Sequence, residues 1–145
     1  MAFRFPLASV LRVRESIERR EERALQAIQL DIARLEHHVG ALQGATARAR
    51  DICEEALRQS ISAGQLHSLL CEEQSAEREL RLTLAQLHTV EQQRDAQRKI
   101  YLAAHREREM LTEMRQKQKN LYEKMRSRDE QKKLDDLFIA RRIRI

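Results

Sequence analysis

Apolar residues recur along the first part of the chain in alternating steps of three and four. The run consists of Leu25, Ile28, Ile32, Leu35, Val39, Leu42, Thr46, Ala49, Cys53 and Ala56. This is the spacing of the a and d positions of a coiled coil, which form one stripe along a helix. The pattern therefore predicts a long amphipathic helix that packs against a partner helix.

A second stripe follows after an interruption at Ser62-Ala63-Gly64. If the chain folds back at residues 63–64, the second stripe faces the first. In that register the opposed pairs are Val39 with Leu87, Leu42 with Leu84, and Ile17 with Leu111. We predict an all-α fold, a long antiparallel two-helix coiled-coil hairpin that forms a single domain over residues 1–145. Helix one covers about 6–61, the turn about 62–65, and helix two about 66–140.

Composition agrees with a hairpin that has no compact core. Charged residues make up 35% of the chain and aromatic residues 3%, with no Trp, which is too little bulky apolar material to fill a globule. Helix two should extend beyond helix one, leaving an uncovered apolar stripe that needs a partner. That stripe consists of Leu134, Leu137, Phe138, Ile139, Ile143 and Ile145. The seam of helix two should be looser near its open end, where the 3/4 count places polar residues inward. They are Arg94, Gln97, Arg108 and Gln118.

No catalytic, cofactor-binding or metal-binding constellation is found in the sequence, so we expect a protein that is not an enzyme. The histidines show no HExxH spacing; they are His37, His38, His67, His88 and His105. Cys53 and Cys71 lie too far apart in sequence for a zinc-ligand pair, and no phosphate-binding loop with the G-x-x-x-x-G-K-[ST] pattern occurs. A two-helix hairpin also offers no concave pocket for a small-molecule substrate.

The formal net charge is +5, and residues 94–133 hold thirteen Lys and Arg against seven Asp and Glu. A basic coiled coil associated with nucleic acid is one reading of this charge. However, acidic residues interrupt the basic ones throughout and stacking aromatics are missing, so we expect no nucleic-acid partner. No signal-peptide pattern and no run of 18 apolar residues occurs, which predicts a cytoplasmic location with the cysteines as thiols.

Both ends of the chain carry motifs of one family. The opening Phe3-Arg4-Phe5-x-Leu7-x-x-Val10-Leu11-x-Val13-Arg14-Glu15 resembles the F-x-F-x-L-x-x-L-L-x-x-R-E start of FliJ-type flagellar export proteins. The segment Glu130-Gln131-Lys132-Lys133-Leu134-Asp135-Asp136-Leu137 resembles that family's E-Q-K-x-L-D-E-L. Pro6 and Asp136 depart from the usual residues without affecting the architecture.

The resemblance implies a non-enzymatic central stalk and chaperone-escort component of the flagellar type III export apparatus. Such a protein engages the hexameric export ATPase, contacts the export gate at the inner membrane and meets export chaperones, with no cofactor. The equivalent stalk of a virulence-type injectisome is the alternative.

We expect the open end of the hairpin to contact the ATPase ring. The residues expected there are Phe3, Phe5, Leu7, Leu11, Arg14, Leu121, Met125, Lys132, Leu134, Leu137 and Phe138. A second face is assigned to the export gate, on the ground that glycines permit close approach of another helix. It comprises Gly40, Gly44, Leu80 and Leu84.

Overall fold

The computed structural model describes residues 2–143, which form two long helices and no strand. Helix α1 spans Ala8–Arg58 and helix α2 spans Ala63–Ile143. The two helices pack against each other as a hairpin. The predicted all-α two-helix hairpin is therefore confirmed. Ile145, expected in the uncovered stripe, lies outside the described residues.

The connection between the two helices lies earlier in the sequence than the position of Gly64 suggested. Ser62 Oγ accepts a hydrogen bond from the Gln65 backbone N–H at 3.3 Å, and Gln65 Oε1 accepts one from the Ser62 N–H at 3.3 Å. This reciprocal pair is a capping box, which fixes Ser62 as the residue before the helix. Gly64 consequently lies in the first turn of α2, and no described glycine has a positive φ. The turn expected at 62–65 is wrong by about three residues, because the serine cap decides where α2 begins.

Helix α1 begins two residues after the expected Pro6. The Phe5 carbonyl accepts a hydrogen bond from the Ala8 N–H at 3.2 Å, which closes a turn containing Pro6. The Phe5 side chain is buried. The proline therefore shapes the entry into the helix rather than opening it.

Contacts divide the chain into two compact units, residues 22–100 and residues 1–21 with 101–145. Each unit contains part of both helices. The single-domain organisation expected from the sequence stays a prediction.

In the unit of residues 22–100, the buried stripe of α1 follows the expected ladder. Its buried members are Ile32, Val39, Leu42, Thr46 and Cys53. Thr46 Oγ1 donates to the Leu42 carbonyl at 2.8 Å, so this buried hydroxyl is satisfied within its own helix. Opposite, Thr83 is buried whereas Leu84 is 42% exposed. The expected inward position of Leu84 is therefore wrong: the 3/4 ladder of α2 passes through Leu80, Thr83 and Leu87, one residue out of step with Leu84.

In the other unit, Phe5, Leu11 and Leu111 form a buried cluster. Leu111 was expected opposite Ile17, so its contact with Leu11 shows a register displaced by almost two turns of α1 at this point. When the chain turns back earlier than expected, each residue of α2 lies opposite a residue of α1 with a lower number than expected. The misplaced turn and the misplaced pair therefore have one cause.

Candidate functional site

The last turns of α2 present an exposed apolar surface, which we call the terminal ridge and define as Leu134, Leu137 and Phe138. Residues three and four apart share one side of a helix, which places these three side chains together. Phe138 is 71% exposed, and the two leucines are exposed to a similar degree. Together with Asp135 and Arg141, they line a shallow groove on α2. Such large apolar groups in water are typical of a partner-binding surface.

Further apolar residues of α2 are also exposed in this unit. Leu121 and Met125 were expected in the ring-binding set, and both side chains lie in solvent. Lys132, from the same set, is exposed as well. The structure therefore places every α2 member of that set at the surface.

The N-terminal members of the predicted ring-binding set have a different environment. Phe5 and Leu11 are buried in the cluster with Leu111, and Phe3 and Leu7 pack against that cluster. The Phe3 ring also lies 5.7 Å from the ring of Tyr122, centroid to centroid. Phe5 and Leu11 are thus core residues of this structure, and their contact with the ATPase ring stays a prediction. The F-x-F motif stabilises the start of the hairpin, because its rings cover the apolar side of α2.

Arg14 takes part in an interhelical ion pair with Glu107. One turn further along α1, Glu18 accepts hydrogen bonds from Arg108 and from His105, with Arg108 Nε to Glu18 Oε2 at 2.6 Å and His105 Nδ1 to Glu18 Oε1 at 2.6 Å. The Arg108 guanidinium, chiefly through its hydrogen bond, holds the pKa of Glu18 below its ordinary value. Arg14 is therefore a seam residue here, beside a partly buried charge cluster.

Sequence reasoning placed Arg108 inward but did not find its partner. The available signal was the acidic Glu18, which neighbours the apolar seam residue Ile17 on α1. A guanidinium in an apolar seam needs a carboxylate opposite it, since an unpaired charge there is costly. Looking for that carboxylate on α1 leads to Glu18.

The residues assigned to the export gate lie in the unit of residues 22–100. Gly40 is exposed, and a Cβ built on it would meet no atom within 4 Å. Gly44 is half-buried, and its nearest neighbour would be Arg48 Nη1 at 3.4 Å. Leu80 lines a groove with residues of both helices, and Leu84 faces solvent. Helix α1 is therefore bare around Gly40, and its surface is open to another chain.

The groove beside Leu80 is polar as well as apolar. Arg50 bridges to α2 by donating from Nε to Glu73 at 3.1 Å and from Nη2 to Glu77 at 2.6 Å. These hydrogen bonds raise the pKa of Arg50 above its ordinary value, and the bond that Glu77 accepts is the stronger cause. The bridge ties the two helices together along one edge of the groove.

Among residues 2–143, no group of three or more His, Cys, Asp and Glu side chains is arranged to hold a metal ion. None of the described helices has the length and apolar character needed to cross a membrane.

Comparison with known proteins gives a match along nearly the whole chain. A family model described as "Flagellar FliJ protein" matches residues 3–144. No curated protein and no solved structure matches. The match covers both terminal motifs and both helices.

Proposed function

Because the chain belongs to the flagellar FliJ family, whose members are components of the flagellar export apparatus, we propose that it is the central stalk and chaperone escort of that apparatus. In this role it engages the hexameric export ATPase, couples it to the export gate and performs no chemistry of its own. The proposed location is the cytoplasm, at the inner-membrane export apparatus. The observation that carries the proposal is the terminal ridge, an apolar surface at the end of α2.

The terminal ridge suits insertion into a protein ring. Burying a Leu or Phe side chain contributes about 1.5–3 kcal/mol, so the three ridge residues supply a substantial part of the affinity of a stable complex. They lie on a regular helix, which pre-orders them and reduces the entropy lost on binding. The ridge should therefore set the lifetime of the complex.

Basic residues near the ridge should assist the encounter with an acidic ring. Lys132 and Lys133 precede it and Arg141 and Arg142 follow it, all of them exposed. Exposed charges accelerate association and are screened by salt, but they contribute little to the final affinity. We therefore expect association rates that fall with ionic strength and dissociation rates that do not.

The export gate is assigned to the face formed by Gly40, Gly44, Leu80 and Leu84. Bare helix surface at Gly40 allows the backbone of a partner to approach closely. The groove that contains Leu80 and the exposed Leu84 add apolar contact area. Export chaperones are further proposed partners.

Truncation tests the ring contact directly. Removing residues 134–145 deletes the ridge, and because its described side chains are exposed, the remaining helices should keep their helicity per residue. We expect the truncated chain to lose stimulation of the export ATPase while its circular dichroism stays that of a helical hairpin. The matched point variants are Leu137→Glu for the ridge and Leu82→Glu, equally exposed but in the other unit, as the control.

Full stimulation of the ATPase by the truncated chain would overturn the ridge as the ring contact. The contact would then lie elsewhere, and the face around Gly40 and Gly44 would be the next candidate. Loss of stimulation by the Leu82→Glu control would show instead that any added charge on α2 is harmful.

A further inference from the structure

A second exposed apolar stripe runs along α2, separate from the terminal ridge. We call it the methionine stripe and define it as Met110, Met114, Leu121 and Met125. Their exposed fractions are 58%, 39%, 56% and 63%. At about 100° per residue, the four side chains lie within an arc of about 60°. The stripe therefore forms one line about 22 Å long, made of two apolar pairs with about 10 Å between Met114 and Leu121.

The methionine stripe is nearly symmetric about its own centre, between Lys117 and Gln118. If a second copy of α2 is laid antiparallel across that centre, Met110 faces Met125 and Met114 faces Leu121. Because the two copies are related by a two-fold axis, each of these two contacts occurs twice in the dimer. Each apolar side chain of the stripe therefore meets an apolar side chain of the second copy. This self-complementarity is what a two-fold interface requires, since one patch must fit itself.

Charges beside the methionine stripe fit the same arrangement. Glu113 and Lys124 lie on one flank, and in the antiparallel pair each comes within about half a turn of the other residue in the second copy. Neither side chain makes an ion pair in the part of the chain that the structure describes. Antiparallel helices pair flank residues of the same side, and opposite signs there favour one orientation.

We infer that the methionine stripe is a self-association surface, on which a second copy of this chain docks antiparallel. Methionine side chains suit such a contact because they are flexible and polarisable and adapt to one another. Leu121 and Met125 were also expected to contact the ATPase ring, so the dimer would cover part of that set while the chain is not engaged. The inference does not depend on the ring contact, because the terminal ridge lies on other sides of α2.

Analytical ultracentrifugation of the full chain tests the inference. The single chain has a mass of 17.1 kDa, and the sedimenting mass should rise toward twice that value with concentration, with a Kd in the range of about 1–100 μM. Met114→Glu should raise this Kd at least about tenfold. Leu82→Glu, which adds the same charge at an exposed leucine outside the stripe, should leave it unchanged.

A charge swap separates the antiparallel pairing from unspecific association. Glu113→Lys should raise the Kd several-fold by placing Lys opposite Lys124, and the double variant E113K/K124E should restore it. Glu113 and Lys124 are both exposed, so helicity should not change. A chain that stays monomeric at about 300 μM, a double variant that is not restored, or an equal effect of Leu82→Glu would each overturn the inference.

Discussion

Glu18 on α1 and Arg108 on α2 form a bidentate salt bridge, with Arg108 Nε 2.6 Å from Glu18 Oε2 and Arg108 Nη2 3.1 Å from Glu18 Oε1. Both side chains are partly buried, and His105 Nδ1 contacts the same carboxylate. A pair of this geometry fixes the relative position of two helices, because sliding by one residue would break both hydrogen bonds. Its main contribution is therefore to the register of this unit.

Removing one partner should cost more than removing both. Glu18→Ala leaves Arg108 partly buried without its carboxylate, and we expect a loss of about 1–3 kcal/mol in the free energy of unfolding. The double variant E18L/R108L should be close to neutral, because two apolar side chains suit the seam. Urea unfolding followed by circular dichroism measures both. Glu22→Ala, an exposed acid on the same helix, is the control and should change stability by less than about 0.5 kcal/mol.

The same carboxylate predicts a pH dependence. The pKa of Glu18 is lowered in the folded chain from its ordinary value of 4.5, mainly by the hydrogen bond from Arg108. The unfolded chain therefore takes up this proton first, so the stabilisation is complete above pH 4.5 and is lost as the pH falls through the folded pKa. Unfolding free energies should fall more steeply below pH 4.5 for the native chain than for Glu18→Gln. Equal slopes would contradict the assignment.

Much of this fold follows from the periodicity of the sequence, and the errors have definite physical causes. The 3/4 spacing of apolar residues in α1 identified Val39 and Leu42 as buried, because only the apolar side of this helix packs against α2. The register could not be obtained to the residue, because it depends on where the turn begins. That point is set by the hydrogen bonds of Ser62 and Gln65 and not by the nearby glycine.

Some residues of the candidate site could likewise be predicted from the sequence and others could not. Exposure at the end of α2 follows from helix lengths alone, so Leu137 and Phe138 could be predicted. The burial of Phe5 and Leu11 could not, because an apolar residue near a chain end fits a core and a partner surface equally well. Only the position of Leu111 across the seam distinguishes the two.

The cap at the start of α2 makes a prediction opposite to that of a glycine turn. Gly64 lies in a helical turn, and an added Cβ would meet no atom within 4 Å. Gly64→Ala should therefore stabilise the chain by about 0.5 kcal/mol, whereas Ser62→Ala should cost about 1 kcal/mol. Thermal unfolding measures both. A clear destabilisation by Gly64→Ala would mean that the residue adopts a left-handed conformation, contrary to the structure.

Two phenylalanines offer the sharpest contrast between core and partner surface. Phe5 is buried against Leu11 and Leu111, so Phe5→Ala should lower the free energy of unfolding by about 3 kcal/mol. Phe138 is exposed to solvent, so Phe138→Ala should change the free energy of unfolding by less than about 0.5 kcal/mol. Binding to the export ATPase should show the reverse order once both variants are compared at a temperature where each is fully folded. Phe138→Ala should then weaken binding at least about tenfold, and Phe5→Ala less than about threefold. Equal losses of binding would place the F-x-F motif in the contact after all, and would require its cluster to open when the ring is engaged.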